Sequence, residues 1–441
     1  MKLIKKILSI VLKVLFGLIG LAILAFFIYS APWIWRRVWI YPKLEKEKVA
    51  IQSTYKKPLA YISKTDYNGI IHMHSYWSHD SRGMLNEILP AAKEAKLEFL
   101  FFSDHPRSKL DTFPRSYHGV FDEIIFEPGT ETSEGLMVCP MDSVVLDWNQ
   151  PQDEIIKQVV EMGGLALYLH TEEPHDWDNP DYQMMEIYNI HTDLLDEEGS
   201  ILPLIINFAI NGKKYSHWAM REIYDEQTEI LANWDSLNGK RRITGIGAAD
   251  AHNNQNIRAR YNKNGMVEWY GPNADLLATV KPGLKEKLLL SKKPDEAGWS
   301  FRFETDAYFT SFNYVNTHVF CDTLSNVNIK DNLVAGRAFV AFENLAFADG
   351  FQYFSTDINN QVNAILGDSI PSGSVNQIKA VSPYPVQFKL IKDGKEIDTA
   401  NDIYEYQYKP GNNAGNYRIE AHLKFGGEYT AWIQTNPIYI Y

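Results

Sequence analysis

The sequence predicts an α/β domain built on a parallel sheet or barrel, preceded by one transmembrane helix and followed by a small all-β sandwich. Three observations carry this. An uncharged, largely apolar run spans Val14 to Trp35; strand, loop, helix and strand patterns recur from Tyr67 onward; and from about Gly350 the chain changes to short alternating strands broken by Asn, Gly and Pro. The expected divisions are a membrane segment at 1–41, a polar tether at 42–66, the α/β domain at 67–345 and the sandwich at 350–441.

The 22 residues from Val14 to Trp35 would make a helix of about 33 Å, enough to cross the hydrocarbon core. The run is too long for a signal-peptide core and no Ala-x-Ala-like site follows, so it reads as an uncleaved signal anchor. Trp33, Trp35, Trp39 and Tyr41 gather at its far end, where amphipathic rings favour the headgroup layer. Lys2, Lys5, Lys6 and Lys13 favour a cytoplasmic N-terminus, nearly balanced by Arg36, Arg37, Lys43, Lys46 and Lys48. A short tail before a single anchor usually stays inside, which places the bulk of the chain outside the cytoplasm. The formal net charge of −12 argues against a nucleic-acid-coating surface, because phosphate backbones are held by Lys and Arg. Cys139 and Cys321 form either one disulfide or two buried thiols, with buried thiols favoured.

In the α/β region the strand ends hold the chemistry. Ile70 to His74 reads as a strand, so His72 and His74 project from one face, and His79 and Asp80 fall in the loop that follows. Helix spacing marks Leu85 to Lys96, despite Pro90, and the next strand, Leu97 to Phe102, ends at Ser103-Asp104-His105. Asp104 and His105 are a second ligand pair, or else a solvated turn. Phe121 to Phe126 reads as a further strand leading to Glu131, a bridging carboxylate or an exposed loop residue. Asp153 to Met162 is a helix stopped by Gly163 and Gly164, and the strand Leu165 to Leu169 closes on His170. Met185 to Asn189 repeats the pattern, with Glu186, Asn189 and His191 as supporting groups. Ile243 to Ala249 ends at Asp250-Ala251-His252, and Arg258 and Arg260 follow as phosphate-steadying guanidiniums or as surface residues. His118, His175, His217, His318 and His422 lack such companions and read as structural.

The ordered motifs His72-x-His74 with Ser78-His79-Asp80, Ser103-Asp104-His105, Gly129-x-Glu131, His170 before Glu172-Glu173-Pro174, and Asp250-x-His252 resemble the PHP (polymerase and histidinol phosphatase) family of metal-dependent phosphoesterases. The resemblance covers roughly residues 67–345. It implies a distorted barrel of seven parallel strands holding up to three divalent ions at the strand C-terminal ends. It also implies that His72, His74, Glu131 and Asp250 share the two closest ions, with His105, His170 and His252 completing the set. His79 or Asp80 would supply the ligand of the first loop, where the commoner pattern has an Asp at the place of His79. The usual His-Pro is also missing at the His170 loop.

Mixed imidazole and carboxylate donors suit Zn²⁺, Mn²⁺ or Fe²⁺, and two or three such ions are expected. The reaction implied is hydrolysis of a phosphomonoester or phosphodiester by metal-bound hydroxide, with Arg82, Arg258 or Arg260 steadying the phosphoryl oxygens. The implied partner is a small phosphorylated substrate, with no nucleic acid. Thr317 to Cys321, a helix around Val327 to Ala335, and Ala338 to Ala341 close the α/β region. Val386 to Ile391, the Asp393-Gly394 turn, Asn416 to Leu423 and Thr430 to Gln434 make the sandwich, which has no catalytic cluster and offers a surface for an envelope partner. A non-catalytic, metal-stabilised envelope scaffold is the alternative reading. A nuclease module is disfavoured by the acidic charge and the anchor.

Overall fold

The computed structural model describes residues 2–107, 113–140, 146–196, 201–254, 256–272, 275–295 and 297–441. Its N-terminal helix α1 (Lys2–Trp35) passes through one π-helical turn, Arg36–Ile40, into helix α2 (Tyr41–Ser53). Among the described residues α1 contributes the one helix long and apolar enough to cross a membrane. Side chains of Lys2 and Lys5, used above for orientation, lie outside the described residues. The stretch read as a polar tether is corrected in its first half. Residues 41–53 are helical and pack on the body of the protein, where Glu45 accepts hydrogen bonds from Trp218 Nε1 at 2.8 Å and His217 Nε2 at 3.0 Å.

The main sheet begins with β1 (Thr65–Met73), α3 (Leu85–Glu94), β2 (Phe99–Phe101), β3 (Gly119–Phe121), β4 (Ile124–Glu127), β5 (Thr130–Glu131) and β6 (Leu136–Cys139). It continues through α4 (Gln152–Glu161), β7 (Leu165–Tyr168), β8 (Met184–Asn189), α5 (Ile190–Asp196), α6 (Ile201–Arg221), α7 (Thr228–Asn238) and β9 (Thr244–Ala251). Six strands pair in parallel in the order β4-β2-β1-β9-β8-β7, so their C-terminal ends share one edge. Burial on both faces explains why β2, β7 and β9 read as continuous apolar runs.

Around this parallel core β3 is antiparallel to β4, and β6 runs antiparallel between β5 and β7. The described ladders hold six parallel strands, and the expected closed barrel of seven is not shown by them. They lie in a mixed sheet that runs β3-β4-β2-β1-β9-β8-β7-β6-β5, and β4 and β5, neighbours in the chain, share no described ladder. The strand expected over Phe121 to Phe126 is a hairpin instead. Asp122 and Glu123 both take positive φ, 48° and 70°, and form its two-residue turn.

After β9 comes a separate antiparallel sheet that the sequence reading did not foresee. It consists of β10 (Asn256–Tyr261), β11 (Val267–Tyr270), β12 (Leu276–Val280) and, beyond α8 (Leu284–Leu289), β13 (Phe301–Glu304), in the order β12-β11-β10-β13. Helix α9 (Tyr308–Phe312) returns the chain to β14 (Asn316–Cys321), α10 (Asn326–Val334) and β15 (Ala338–Ala341). The C-terminal part holds β16 (Gln352–Thr356), β17 (Val362–Ile365), β18 (Ser369–Ile370), β19 (Gln377–Lys392), β20 (Lys395–Tyr408), β21 (Gly415–Phe425), β22 (Glu428–Thr435) and β23 (Ile438–Ile440). Hydrogen bonding runs without a break from β1 through β14 and β15 to β22, and Ile70, Phe339 and Trp432 belong to one apolar core. Cys139 and Cys321 are both buried and unpaired.

Candidate metal centre

The parallel edge gathers side chains from widely separated parts of the chain. His72 is the last residue but one of β1, His74 follows the strand, His105 follows β2, Glu131 ends β5, His170 follows β7, His191 follows β8, and Asp250 is the last residue but one of β9. Simple strand alternation does not aim these groups. His72, His170 and Asp250 all adopt positive φ, 70°, 48° and 41°, and the β1–β9 register shifts between Ile71 and Met73. Left-handed backbone is costly for residues with a Cβ, and such strain gathers at functional sites.

Two buried carboxylates hold the cluster together. Glu131 Oε2 lies 3.1 Å from His72 Nε2 and 3.1 Å from His74 Nε2, while its Oε1 is 3.2 Å from His170 Nε2. Asp250 Oδ1 lies 2.9 Å from His72 Nε2 and 3.5 Å from His74 Nε2, and its Oδ2 is 3.3 Å from His191 Nδ1. Nearby, Asp80 Oδ2 is 3.1 Å from His252 Nε2 and 3.4 Å from His105 Nε2. Four overlapping donor sets result: His72, His74 and Asp250; His72, Glu131 and His170; His170, His191 and Asp250; and His74, Asp80, His105 and His252.

The imidazoles are oriented from behind. His72 donates its Nδ1–H to Glu186 Oε1 at 2.5 Å, His105 donates Nδ1–H to the Glu131 carbonyl at 3.1 Å, and His252 donates Nδ1–H to the Asp250 carbonyl at 3.0 Å. Each bond leaves Nε2 as a bare lone pair facing the carboxylates, the arrangement that backs metal-bound histidines. His72 Nε2, Glu131 Oε2 and Asp250 Oδ1 are buried with no hydrogen-bond partner. With the rings neutral, acceptors face acceptors in a dry site and repel unless a cation lies among them, a role open to a proton on a ring or to a metal ion. This arrangement fits a divalent ion.

The electrostatics agree. Burial by itself would push the Glu131 and Asp250 carboxyls up, but the surrounding imidazoles, His72 foremost, hold both well below the usual carboxylate range. Burial likewise opposes charge on the imidazoles. The two carboxylates outweigh it and raise His74 to about 9, and Glu131 with Glu172 raises His170 to about 11. The pocket is a field that favours positive charge.

Not every sequence candidate reaches this cluster. His79 is exposed and turns its ring against His105, centroids 5.1 Å apart, so in the first loop it is Asp80 whose carboxylate enters. Asp104 accepts from Ser75 N at 2.6 Å, Ser75 Oγ at 2.8 Å and Ser116 Oγ at 2.7 Å, which turns it into a brace for the loop rather than a donor in any of the sets. Arg258 is buried against Glu304 at 2.7 Å and Glu87 at 3.3 Å, and Arg260 pairs with Glu268 at 3.1 Å on the accessory sheet. Both guanidiniums are thus committed to protein carboxylates. Arg82 is half-buried and donates to the Ser81 carbonyl at 3.4 Å. His191, read from sequence only as a supporting group, is a member of a donor set. Its signal was present, since it follows a strand end as the others do.

No family model matches the chain, and no curated protein matches it. Among solved structures it is similar to a two-domain protein from Bacteroides vulgatus containing a predicted PHP-like metal-dependent phosphoesterase, at 11% identity and a TM-score of 0.38, with 87% of this chain and 98% of the other covered.

Proposed function

We propose that this chain is a membrane-anchored, metal-dependent phosphoesterase of the PHP type, facing the extracytoplasmic side and hydrolysing a phosphomonoester or phosphodiester with two or three bound Zn²⁺, Mn²⁺ or Fe²⁺ ions. The observation that supports it is the set of buried, partnerless acceptors on His72, Glu131 and Asp250, flanked by the other imidazoles at one sheet edge. Glu131 and Asp250 each present one oxygen to His72 and His74 and the other toward His170 or His191, and both would hold divalent ions together with these imidazoles. His105, His252 and Asp80 offer a further set on the side of His74.

Divalent ions bound there would supply Lewis acidity toward phosphoryl oxygens and acidify water near neutral pH. The protein's own share is orientation. Glu186 fixes the His72 ring, and the buried hydroxyl of Tyr308 donates to the His74 carbonyl at 2.6 Å while Ser81 donates to the His252 carbonyl at 2.7 Å. With Arg258 and Arg260 committed to protein carboxylates, Arg82 is the one of the three candidate guanidiniums left to meet the substrate's negative charge beside any bound ions. Elemental analysis of the purified full chain and hydrolysis of p-nitrophenyl phosphate with added Mn²⁺ test the reading. Glu131→Gln and Asp250→Asn are expected to lower bound metal and to reduce turnover by at least a hundredfold. A chain that retains no transition metal and releases no phosphate would sink it.

A further inference from the structure

We infer that the alcohol portion of the substrate is an apolar chain, so that the molecule acted on is an amphiphile, a lipid-type phosphoester. The inference rests on the phosphoesterase reading and names the substrate class of that same site. A cavity of about 340 Å³ is lined in part by Asp80, His191, Asp250 and His252, all members of the donor sets, with Asn254, Thr305, Asp306 and Ser311 as further polar lining. Its apolar lining is Ile190, Leu194, Leu204, Phe208, Met220 and Ile223 from α5, α6 and the turn after α6. A sugar or small hydrophilic phosphoester has nothing to gain from that apolar lining. An alkyl or prenyl chain gains at every CH₂ it removes from water.

The placement of α6 supplies an independent reason. The helix that supplies part of the apolar lining is bolted to the end of the anchor: Asn211 Nδ2 donates to the Trp33 carbonyl at 3.2 Å, Arg37 Nη1 donates to the Ile210 carbonyl at 2.5 Å, and Tyr41 is hydrogen-bonded to Asn207. Trp33 and Tyr41 are buried against the protein, whereas Trp35 and Trp39 of the same aromatic group stay exposed, as rings at a headgroup layer would be. With α1 in the bilayer, the cavity wall lies next to the membrane surface, where an amphiphile is concentrated.

The test uses the full chain in lipid nanodiscs, loaded with Mn²⁺ and titrated calorimetrically with non-hydrolysable n-alkyl phosphonates from methyl to octyl against protein-free nanodiscs, with p-nitrophenyl phosphate hydrolysis measured alongside. Affinity is expected to rise about two- to fourfold per added CH₂ until the cavity is filled. Leu194→Gln and Leu204→Gln, both half-buried positions, are expected to flatten that rise. An octyl phosphonate carrying a terminal diazirine is expected to label residues 190–194 and 204–208. A flat series from methyl to octyl, or label confined to α1, overturns the inference while leaving the phosphoesterase reading standing on p-nitrophenyl phosphate. Loss of p-nitrophenyl phosphate hydrolysis together with absent methyl phosphonate binding overturns the phosphoesterase reading itself.

Discussion

At the scale of single residues, Glu186 shows how much of the site depends on a group that touches no substrate. Its Oε2 accepts from the His170 backbone N–H at 2.8 Å and from Asn189 Nδ2 at 2.9 Å, while Oε1 accepts from His72. In Glu186→Gln the amide oxygen must stay where those two donors converge, which turns the NH₂ toward His72 Nδ1. The imidazole would then carry its proton on Nε2 and point it into the cluster. Metal affinity is expected to fall about 10- to 100-fold with the fold intact, read by metal titration and by the His72 tautomer in NMR. A companion pair separates the first-loop candidates: Asp80→Asn should weaken metal retention and His79→Asn should not. Most of the residues that the four sets bring together lie at strand ends or follow them, strand ends converge on a parallel sheet, and that pattern is visible in the sequence; the exceptions are Asp80, in the loop after β1, and His191, which follows β8 but reads from sequence as a supporting group. What sequence could not show was the fate of Arg258. Its partners Glu87 and Glu304 lie far from it in the chain, and a guanidinium near a metal motif looks free until those carboxylates are placed.

At the scale of elements, the regular pieces were legible and the junctions were not. Helix α4 and its stop at Gly163, φ 78°, follow directly from apolar periodicity and a glycine C-terminal cap. The α2 stretch reads as a tether because its charge pattern is that of a solvated segment; contact with His217 and Trp218 is what buries part of its face. The β10–β13 sheet escaped because its strands are short and half exposed. The pairing of β1 with β14 contains a histidine that sequence treated as ordinary. His318 is buried between Asp66 at 2.9 Å and Glu343 at 3.1 Å. Burial opposes its charge, but the two carboxylates outweigh this and raise it to about 10. Burial pushes Glu343 up in spite of His318, so the charge pairing rests chiefly on Asp66. The histidine value is above that of the unfolded chain, about 6.5, so the native state holds this proton more tightly. Its stabilisation is complete below about pH 6.5 and is lost as pH rises toward 10. The stability difference between wild type and His318→Gln, from urea unfolding in detergent at pH 6, 8 and 10, should shrink steadily across that window. A constant difference would refute the charged pairing.

At the scale of the whole molecule, a boundary drawn near residue 350 from the change of strand pattern does not separate two independent bodies. The β15–β22 ladder joins them, Trp432 Nε1 donates to the Ala346 carbonyl at 2.7 Å, and Arg418 grips Asp235 of α7 through two bonds of 2.9 Å. Asn436 is the tightest of these links. It is buried, its Oδ1 accepts from Gly245 N at 2.8 Å, and its Nδ2 donates to the carbonyls of Gly245 at 3.0 Å and Ala338 at 2.8 Å. One side chain from the C-terminal end therefore satisfies the backbone of β9, the strand that ends on Asp250, and of β15. Pattern in the sequence could not reveal this, because an Asn before Pro437 reads as a turn and its partners lie 191 and 98 residues away. Asn436→Ala would leave the buried Gly245 N–H without its side-chain acceptor and take one donor from each of the Gly245 and Ala338 carbonyls, the latter keeping the residue-436 N–H at 3.3 Å, at roughly 1–3 kcal/mol for an unsatisfied group. The expected result is a single unfolding transition shifted to lower urea by about 2–4 kcal/mol, with metal affinity reduced in step because the start of the Asp250 strand is no longer held. Two separated transitions, with metal binding untouched, would show instead that the C-terminal part is an appendage and that β9 keeps its place without it.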